Sequence, residues 1–166
     1  MSSLPYVDPF AQRSRAYYMW AQLIGTKTVG AFTRKYIARL DPALMRITRG
    51  RIGAGGPLAT AVLETTGAKS GEPRQNAVLY FHDGQHPVIV ASMFGLANNP
   101  AWYHNLRAHP QVTFGGHPYH AELITDTSER TRLWNLADRV YPPYAEYRRR
   151  ADETGRTIPI IRLIGG

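Results

Sequence analysis

Apolar side chains follow two different periods along this chain. In the first third they recur at helical spacing. Between Gln12 and Ile24, the residues Tyr17, Trp20, Ala21 and Ile24 fall at i, i+3, i+4 and i+7 and share one face. Gly25 closes that helix, and Gly30 follows. A second helix is expected over Phe32 to Leu40, with Phe32, Tyr36, Ile37 and Leu40 on one side and Arg34, Lys35 and Arg39 on the other. Asp41-Pro42 reads as an N-cap with proline at the first helical position, opening a third helix to about Arg49. Met1 to Phe10, polar and proline-containing, reads as a loose arm. Gly50 to Pro57, with four glycines, reads as a flexible link.

From Ala59 onward the pattern shortens to strand spacing. Ala59–Thr65, Asn76–His82, Pro87–Met93, Val112–Phe114, Tyr119–Thr125 and Ile158–Ile164 are expected strands, rich in Val, Ile, Tyr and Thr. Asp83-Gly84 predicts a hairpin between two of them. Helices are expected over Asn98–Ala108, with Asn99 capping and Pro100 at the first position, and over Ser128–Val140. Tyr141-Pro142-Pro143 breaks the latter and restarts it through Arg149. The fold class is α+β: an antiparallel sheet of short strands curling into a barrel, with flanking helices. Residues 1–53 form a basic amphipathic helical extension, and residues 54–166 form the barrel domain of one globular unit.

Composition agrees with that architecture. With 166 residues, 43% hydrophobic and 19% charged, the chain is long enough for one sizeable core. It has no cysteine, which removes disulfide and thiolate chemistry and suits a reducing cytosol. Met1 to Pro5 carry no basic run ahead of an apolar core, so no signal peptide is expected, and no window is apolar for long enough to span a bilayer. Charge is uneven. Of a net +8, nine Lys/Arg against two Asp place +7 before Gly53 and leave +1 for the rest. A basic, aromatic N-terminal third points to an anionic partner, and peripheral attachment to the inner face of an anionic membrane is the expectation. A nucleic acid is not, since only the pI of about 10.0 speaks for it.

The richest local chemistry lies between the first two strands, in Thr65-Thr66-Gly67-Ala68-Lys69-Ser70-Gly71-Glu72-Pro73-Arg74. Gly67 and Gly71 permit close backbone approach, Thr66 and Ser70 offer hydroxyls, and Lys69 and Arg74 offer charge. Together they predict an anion cradle of backbone and side-chain donors. The same composition also describes an ordinary solvated hairpin loop. It is not a Walker A loop, because no glycine stands directly before Lys69. The histidines are not at metal-site spacing: His82 and His86 straddle the turn, and His117 and His120 flank Pro118. No metal is expected, and no Gly-x-Ser-x-Gly elbow is present.

That loop, with Ala91-Ser92-Met93-Phe94-Gly95 and Asn99-Pro100-Ala101-Trp102-Tyr103-His104-Asn105-Leu106-Arg107-Ala108-His109-Pro110, resembles the deazaflavin-dependent nitroreductase family of actinobacteria, a relative of the flavin-binding split β-barrels. The resemblance runs from about Leu40 to the C-terminus. It implies a split β-barrel and coenzyme F420, an 8-hydroxy-5-deazaflavin that transfers hydrides. It also implies the coenzyme contacts. Lys69 and Arg74 would take the anionic tail, with Thr66, Gly67, Ser70 and Gly71 beside them. The backbone of Asn76, Ala77, Val78 and Leu79 would bond the ring edge. Ser92, Met93, Phe94 and Gly95 would flank the ring, and Asn99 and Tyr103 would touch the coenzyme. Trp102 is expected in the core.

Two departures stand out. Ala68 replaces a second cation, and Met93 and Phe94 stand where many relatives carry lysine and glycine, which makes the wall more apolar. By the same resemblance Tyr141, Tyr144 and Tyr147, three apart on one helix face, would line an acceptor pocket, with Tyr147 foremost. Aromatic walls suit flat acceptors, and a phenol can donate to a developing oxyanion. The expected function is F420H2-dependent reduction of a quinone (menaquinone by type) or a nitroaromatic. The alternatives are a non-catalytic coenzyme- or lipid-binding protein, or a split barrel that uses FMN. Monomer and homodimer both remain open.

Overall fold

The computed structural model describes residues 4–26 and 57–165. The expected helices over Phe32–Leu40 and Asp41–Arg49, the glycine-rich stretch up to Gly56 and the boundary between the two expected regions lie outside the described residues.

Six strands close a barrel: β1 (Thr60–Thr66), β2 (Pro73–Asp83), β3 (His86–Val90), β4 (Gln111–Phe114), β5 (His117–Leu123) and β6 (Ile160–Gly165). Their order around the barrel is β1-β2-β3-β6-β5-β4, antiparallel throughout, and Leu63↔Phe114 closes β1 onto β4. Among the described residues four helices flank it: α1 (Arg15–Gly25), α2 (Ala101–Ala108), α3 (Thr127–Val140) and α4 (Pro143–Glu153).

Alternation along the strands makes two cores. Leu63, Val78, Tyr80, Ile89, Phe114, Ile161 and Leu163 fill the barrel, joined by Trp102, Tyr103 and Leu106 of α2. Their neighbours Phe81, Val88, Val90 and Ile160 point outward and are covered by α3 and α4 through Leu133, Ala137, Val140, Tyr144 and Tyr147. β3 is therefore buried on both faces, which explains its unbroken apolar run. Each such side chain, fully buried, contributes about 1.5–3 kcal/mol.

Several boundaries moved. β2 begins at Pro73, so the exit of the cradle is already strand. β3 stops at Val90, short of the expected Met93. The Asp83-Gly84 hairpin is present, with Gly84-Gln85 as its two-residue loop and Asp83 paired to His86. On α1 Ala21 and Gly25 are buried and Tyr17 and Ile24 half-buried, whereas Trp20 is 40% exposed.

The expected loose arm is a correction. Residues 4–10 are pinned to the barrel: the Tyr80 hydroxyl donates to Pro5 O at 2.8 Å, His82 N–H donates to Val7 O at 2.9 Å, and Val7 N–H donates to His82 Nδ1 at 3.0 Å. Burial pulls the His82 pKa down, so the ring stays neutral and keeps accepting. The arm is polar in composition, but one backbone bond to β2 and side-chain bonds to His82 and Tyr80 hold its backbone in place.

Candidate functional site

The cradle is a tight turn braced from α2. Gly67 N–H donates to Glu72 O and Gly71 N–H to Gly67 O, each at 2.8 Å. A Cβ on Gly67 would come within 2.5 Å of Ser70 Oγ and 3.2 Å of Glu72 O, so a larger residue would displace the Ser70 hydroxyl from the turn. Buried Asn105 locks the turn. Its Oδ1 accepts from Ala68 N–H and its Nδ2 donates to Thr65 Oγ1, both at 3.0 Å. The expectation of a loop full of free amides therefore needs correcting: the amides of Gly67, Ala68, Gly71 and Glu72 are all committed within the protein. Those of Lys69 and Ser70 have no acceptor among the described residues, because the turn closes around them.

A cleft of about 790 Å³ opens there, lined by the turn from Gly67 to Ser70, by Arg74, Gln75 and Asn76 of β2, and by Ala101, His104 and Asn105 of α2. No carboxylate among the described residues lines it. Lys69 and Arg74 make no ion pair among the described residues, whereas most other arginines of the barrel domain do. Two cations left without counter-ions in a cleft with donors at hand fit an anionic group. This is the fit that a phosphate-and-carboxylate coenzyme tail requires.

Beyond the cleft, β2 pairs with β3 only over Tyr80–Asp83, so Pro73–Leu79 is paired on the β1 side alone. Its other backbone edge is unpaired by any strand. Val78 turns its side chain into the barrel, so a ligand meets that residue through its backbone. Ala77 and Leu79 are half-buried. Thr66, half-buried, pairs with Pro73, and Gly71 is exposed at φ +69°.

Where β3 ends, the chain turns instead of continuing as strand. Met93–Gly95 is a single 3-10 turn with φ of +47°, +57° and +74° at Met93, Phe94 and Gly95. Ser92, Met93 and Phe94 are half-buried. The expectation that they extend the strand fails because the carbonyls of Ala91, Ser92 and Leu96 accept from the buried Arg156 guanidinium, not from a neighbouring strand. Gly95 is forced twice over: its φ is left-handed, and a Cβ would meet Tyr147 O at 2.5 Å.

Asn99 is not the helix cap. Pro100 holds that position without a side-chain bond, and Asn99 Oδ1 accepts from Arg156 Nε at 2.8 Å. Tyr103 does not line the cleft. It points with Trp102 and Leu106 into the barrel core, because the cleft face of α2 is the one carrying 101, 104 and 105.

Tyr141, Tyr144 and Tyr147 do come together, as expected from their spacing, but in the core under α4. They are 3%, 4% and 2% exposed, and no phenol lines the cradle cleft. The Tyr141 and Tyr147 hydroxyls are 3.1 Å apart and bonded. Phe94 packs edge-on to Tyr147 at 5.8 Å, which joins the turn to the cluster. Burial raises all three phenol pKa values, so they are donors at neutral pH.

Sequence reasoning missed Gln75, Ala101 and His104 as cleft residues, the clamp made by Asn105, and Arg156. The i, i+3, i+4 spacing of 101, 104 and 105 carried the first signal; nothing local announced Arg156. Among the described residues, no three His, Asp or Glu side chains group as metal ligands.

The family model for F420H(2)-dependent quinone reductase matches residues 37–164. The F420H(2)-dependent quinone reductase Rv1261c of Mycobacterium tuberculosis is 36% identical over 135 residues, spanning 76% of this chain and 89% of its own. A solved F420-H2 dependent reductase, FDR-A, superposes with a TM-score of 0.55 at 34% identity, covering 63% of this chain and 92% of that one. A solved chain described as a domain-swapped dimer gives 0.56 at 30%, covering 74% and 94%. The chain thus belongs to the F420H(2)-dependent quinone reductase family and is an F420-dependent oxidoreductase with a split-barrel fold.

Proposed function

We propose that this protein reduces a quinone at the cleft between the 67–70 turn, β2 and α2, with the coenzyme's anionic tail on Lys69 and Arg74. The observation that carries this is a pair of cations that, among the described residues, have no counter-ion and share a cleft with no carboxylate in its lining. Thr66, Ser70 and the free amides of Lys69 and Ser70 add donors, and the unpaired β2 edge from Asn76 to Leu79 holds the ring. Ser92–Gly95, which does not line the cradle cleft itself, is the proposed wall on the other side of the ring, as the family resemblance implies. Bound in reduced form, F420 supplies a hydride. The chain's own part is to orient the acceptor, exclude water and offer a hydrogen-bond donor. Neither Tyr141 nor Tyr147 lines the cleft, so for either phenol to donate to an oxyanion on the quinone the Phe94 side of the turn must move and the Tyr141–Tyr147 bond must break. Tyr147→Phe with unchanged quinone turnover would remove that phenol from the mechanism.

The test is titration with oxidised F420 and, separately, FMN, followed by tryptophan quenching, then quinone turnover with reduced F420. Micromolar or tighter binding to F420 alone, with turnover, supports the site. Preference for FMN, or binding to neither, would overturn it. A nitroaromatic is expected to be a slower, incidental acceptor.

We also propose peripheral attachment to the cytoplasmic face of an anionic membrane. Met19, Leu23 and Trp20 of α1 are exposed (73%, 52% and 40%), in the part of the sequence that carries most of the positive charge. Co-sedimentation with anionic but not zwitterionic vesicles is expected. No helix among the described residues is long and apolar enough to cross a membrane. By analogy with the domain-swapped relative, a homodimer is the proposed assembly, and light scattering tests it.

A further inference from the structure

Arg156 is one of few buried polar residues among those described, 8% exposed, and it pairs with no carboxylate. A buried charge without a counter-ion is costly unless dipoles surround it. Here four oxygens do. Nε donates to Asn99 Oδ1 at 2.8 Å, Nη1 donates to Ser92 O at 3.0 Å and to Leu96 O, and Nη2 donates to Ala91 O. The guanidinium is a rigid planar fork, so four fixed acceptors define one geometry.

The position of Arg156 is itself fixed. It follows Gly155, φ +69°, at the end of α4, where Arg156 N–H donates to Ala151 O and Gly155 N–H to Asp152 O, each at 2.9 Å. That is a Schellman stop, with Arg156 at C″. The helix that ends there also carries Tyr147.

What Arg156 holds is strained. Met93 and Phe94 are non-glycine residues in left-handed backbone, a state that persists only where the surroundings over-determine it. One side of the turn is held by Arg156. The other is pressed on α4, through Phe94 on Tyr147 and Gly95 on Tyr147 O. Asn99 lies two residues before α2, which carries His104 and Asn105 of the cleft. One guanidinium therefore ties the facing wall to the root of the cradle helix.

We propose that Arg156 is a positioning residue that holds the Ala91–Leu96 turn in its left-handed form and so sets which acceptors the wall admits, without touching coenzyme or acceptor. This rests on the assignment of Ser92–Gly95 as the wall in the proposed function. Arg156→Met and Arg156→Lys, checked for folding by circular dichroism, provide the test. In the coenzyme-free protein, amide exchange at Gly95 and Leu96, which donate to Ser92 O and Met93 O, is expected to quicken at least tenfold in Arg156→Met and less in Arg156→Lys. The F420 Kd is expected within threefold of the parent. The quinone KM is expected to rise tenfold or more, and the quinone-to-nitroaromatic ratio of kcat/KM to shift by a similar factor. Unchanged exchange and ratio in folded Arg156→Met would overturn the proposal, as would equal loss of coenzyme and acceptor binding.

If Arg156→Met does not fold, Asn99→Ala, read by amide exchange alone, removes one of the four contacts. Faster exchange at Gly95 and Leu96 supports the proposal, and no change, or loss of fold here too, overturns it. Failure of the parent protein to bind F420 would instead mark failure of the proposed function itself.

Discussion

The two ends of the proposed site are built on opposite principles. At the cradle most of the backbone is satisfied internally and the charges are left over: Asn105 and the turn consume four amides, while Lys69 and Arg74 find no ion-pair partner among the described residues. At the Ala91–Leu96 turn the charge is consumed and the backbone is left strained: Arg156 spends its donors on carbonyls while Met93 and Phe94 sit left-handed. One end is an open cleft with two cations, the proposed receptor for an anion. The other is closed, aromatic and tightly specified. Affinity should thus reside at the first end and selectivity at the second.

The largest expected effect breaks the open end. Lys69→Ala combined with Arg74→Ala removes both charges, each charge-assisted bond being worth about 1.5–3 kcal/mol, so F420 affinity should fall roughly 100-fold or more with the melting temperature unmoved. Tryptophan quenching measures it. An unchanged Kd would mean that the tail binds elsewhere. Next, Gly95→Ala attacks the closed end: a Cβ 2.5 Å from Tyr147 O, added to left-handed strain, should cost about 2–4 kcal/mol in a thermal or urea melt, with coenzyme affinity largely kept in whatever folds.

Asn105→Ala sharpens the contrast, because it loosens the cradle without touching its charges. It leaves the Ala68 amide and the Thr65 hydroxyl unpaired, so about 1–3 kcal/mol of stability and roughly tenfold in F420 affinity should go together.

The smallest effect lies away from both ends. Asp83 and Glu129 bridge the β2–β3 hairpin, α3 and β6 through Arg132 and Arg162. Hydrogen bonds from Arg132 draw both carboxyl pKa values down, that of Glu129 to about 2. Folded values below unfolded ones mean that this stabilisation is present above about pH 4 and is lost as pH falls toward 2. The melting temperature should slip by a few degrees over that window, and Glu129→Gln should flatten the slope.

Much of this was legible in the chain. Runs rich in Val, Ile, Tyr and Thr located all six strands to within a few residues; β3, buried on both faces, reads as a continuous apolar run. Asp83-Gly84 located its hairpin, and the glycines and cations of 67–74 located the cleft. What could not be read depends on contacts distant in sequence. Arg156 reaches back more than fifty residues to Asn99 and further to Ala91, and no local pattern announces that a guanidinium will stop a strand. Tyr103 and Asn99 were assigned by motif alone, while the helix phase that separates 101, 104 and 105 from 102, 103 and 106 was available and decides between cleft and core.

The arm has a consequence of its own. β1 stops short of the end of β2, and Tyr80 N–H still finds Ala59 O, but the next inward amide, that of His82, is met only by Val7. The arm is in effect a borrowed seventh strand, one bond wide, capping a sheet margin that would otherwise be adhesive to other chains. A protein trimmed of its first ten residues would keep every group of the cleft, and its expected failing is precipitation through that margin.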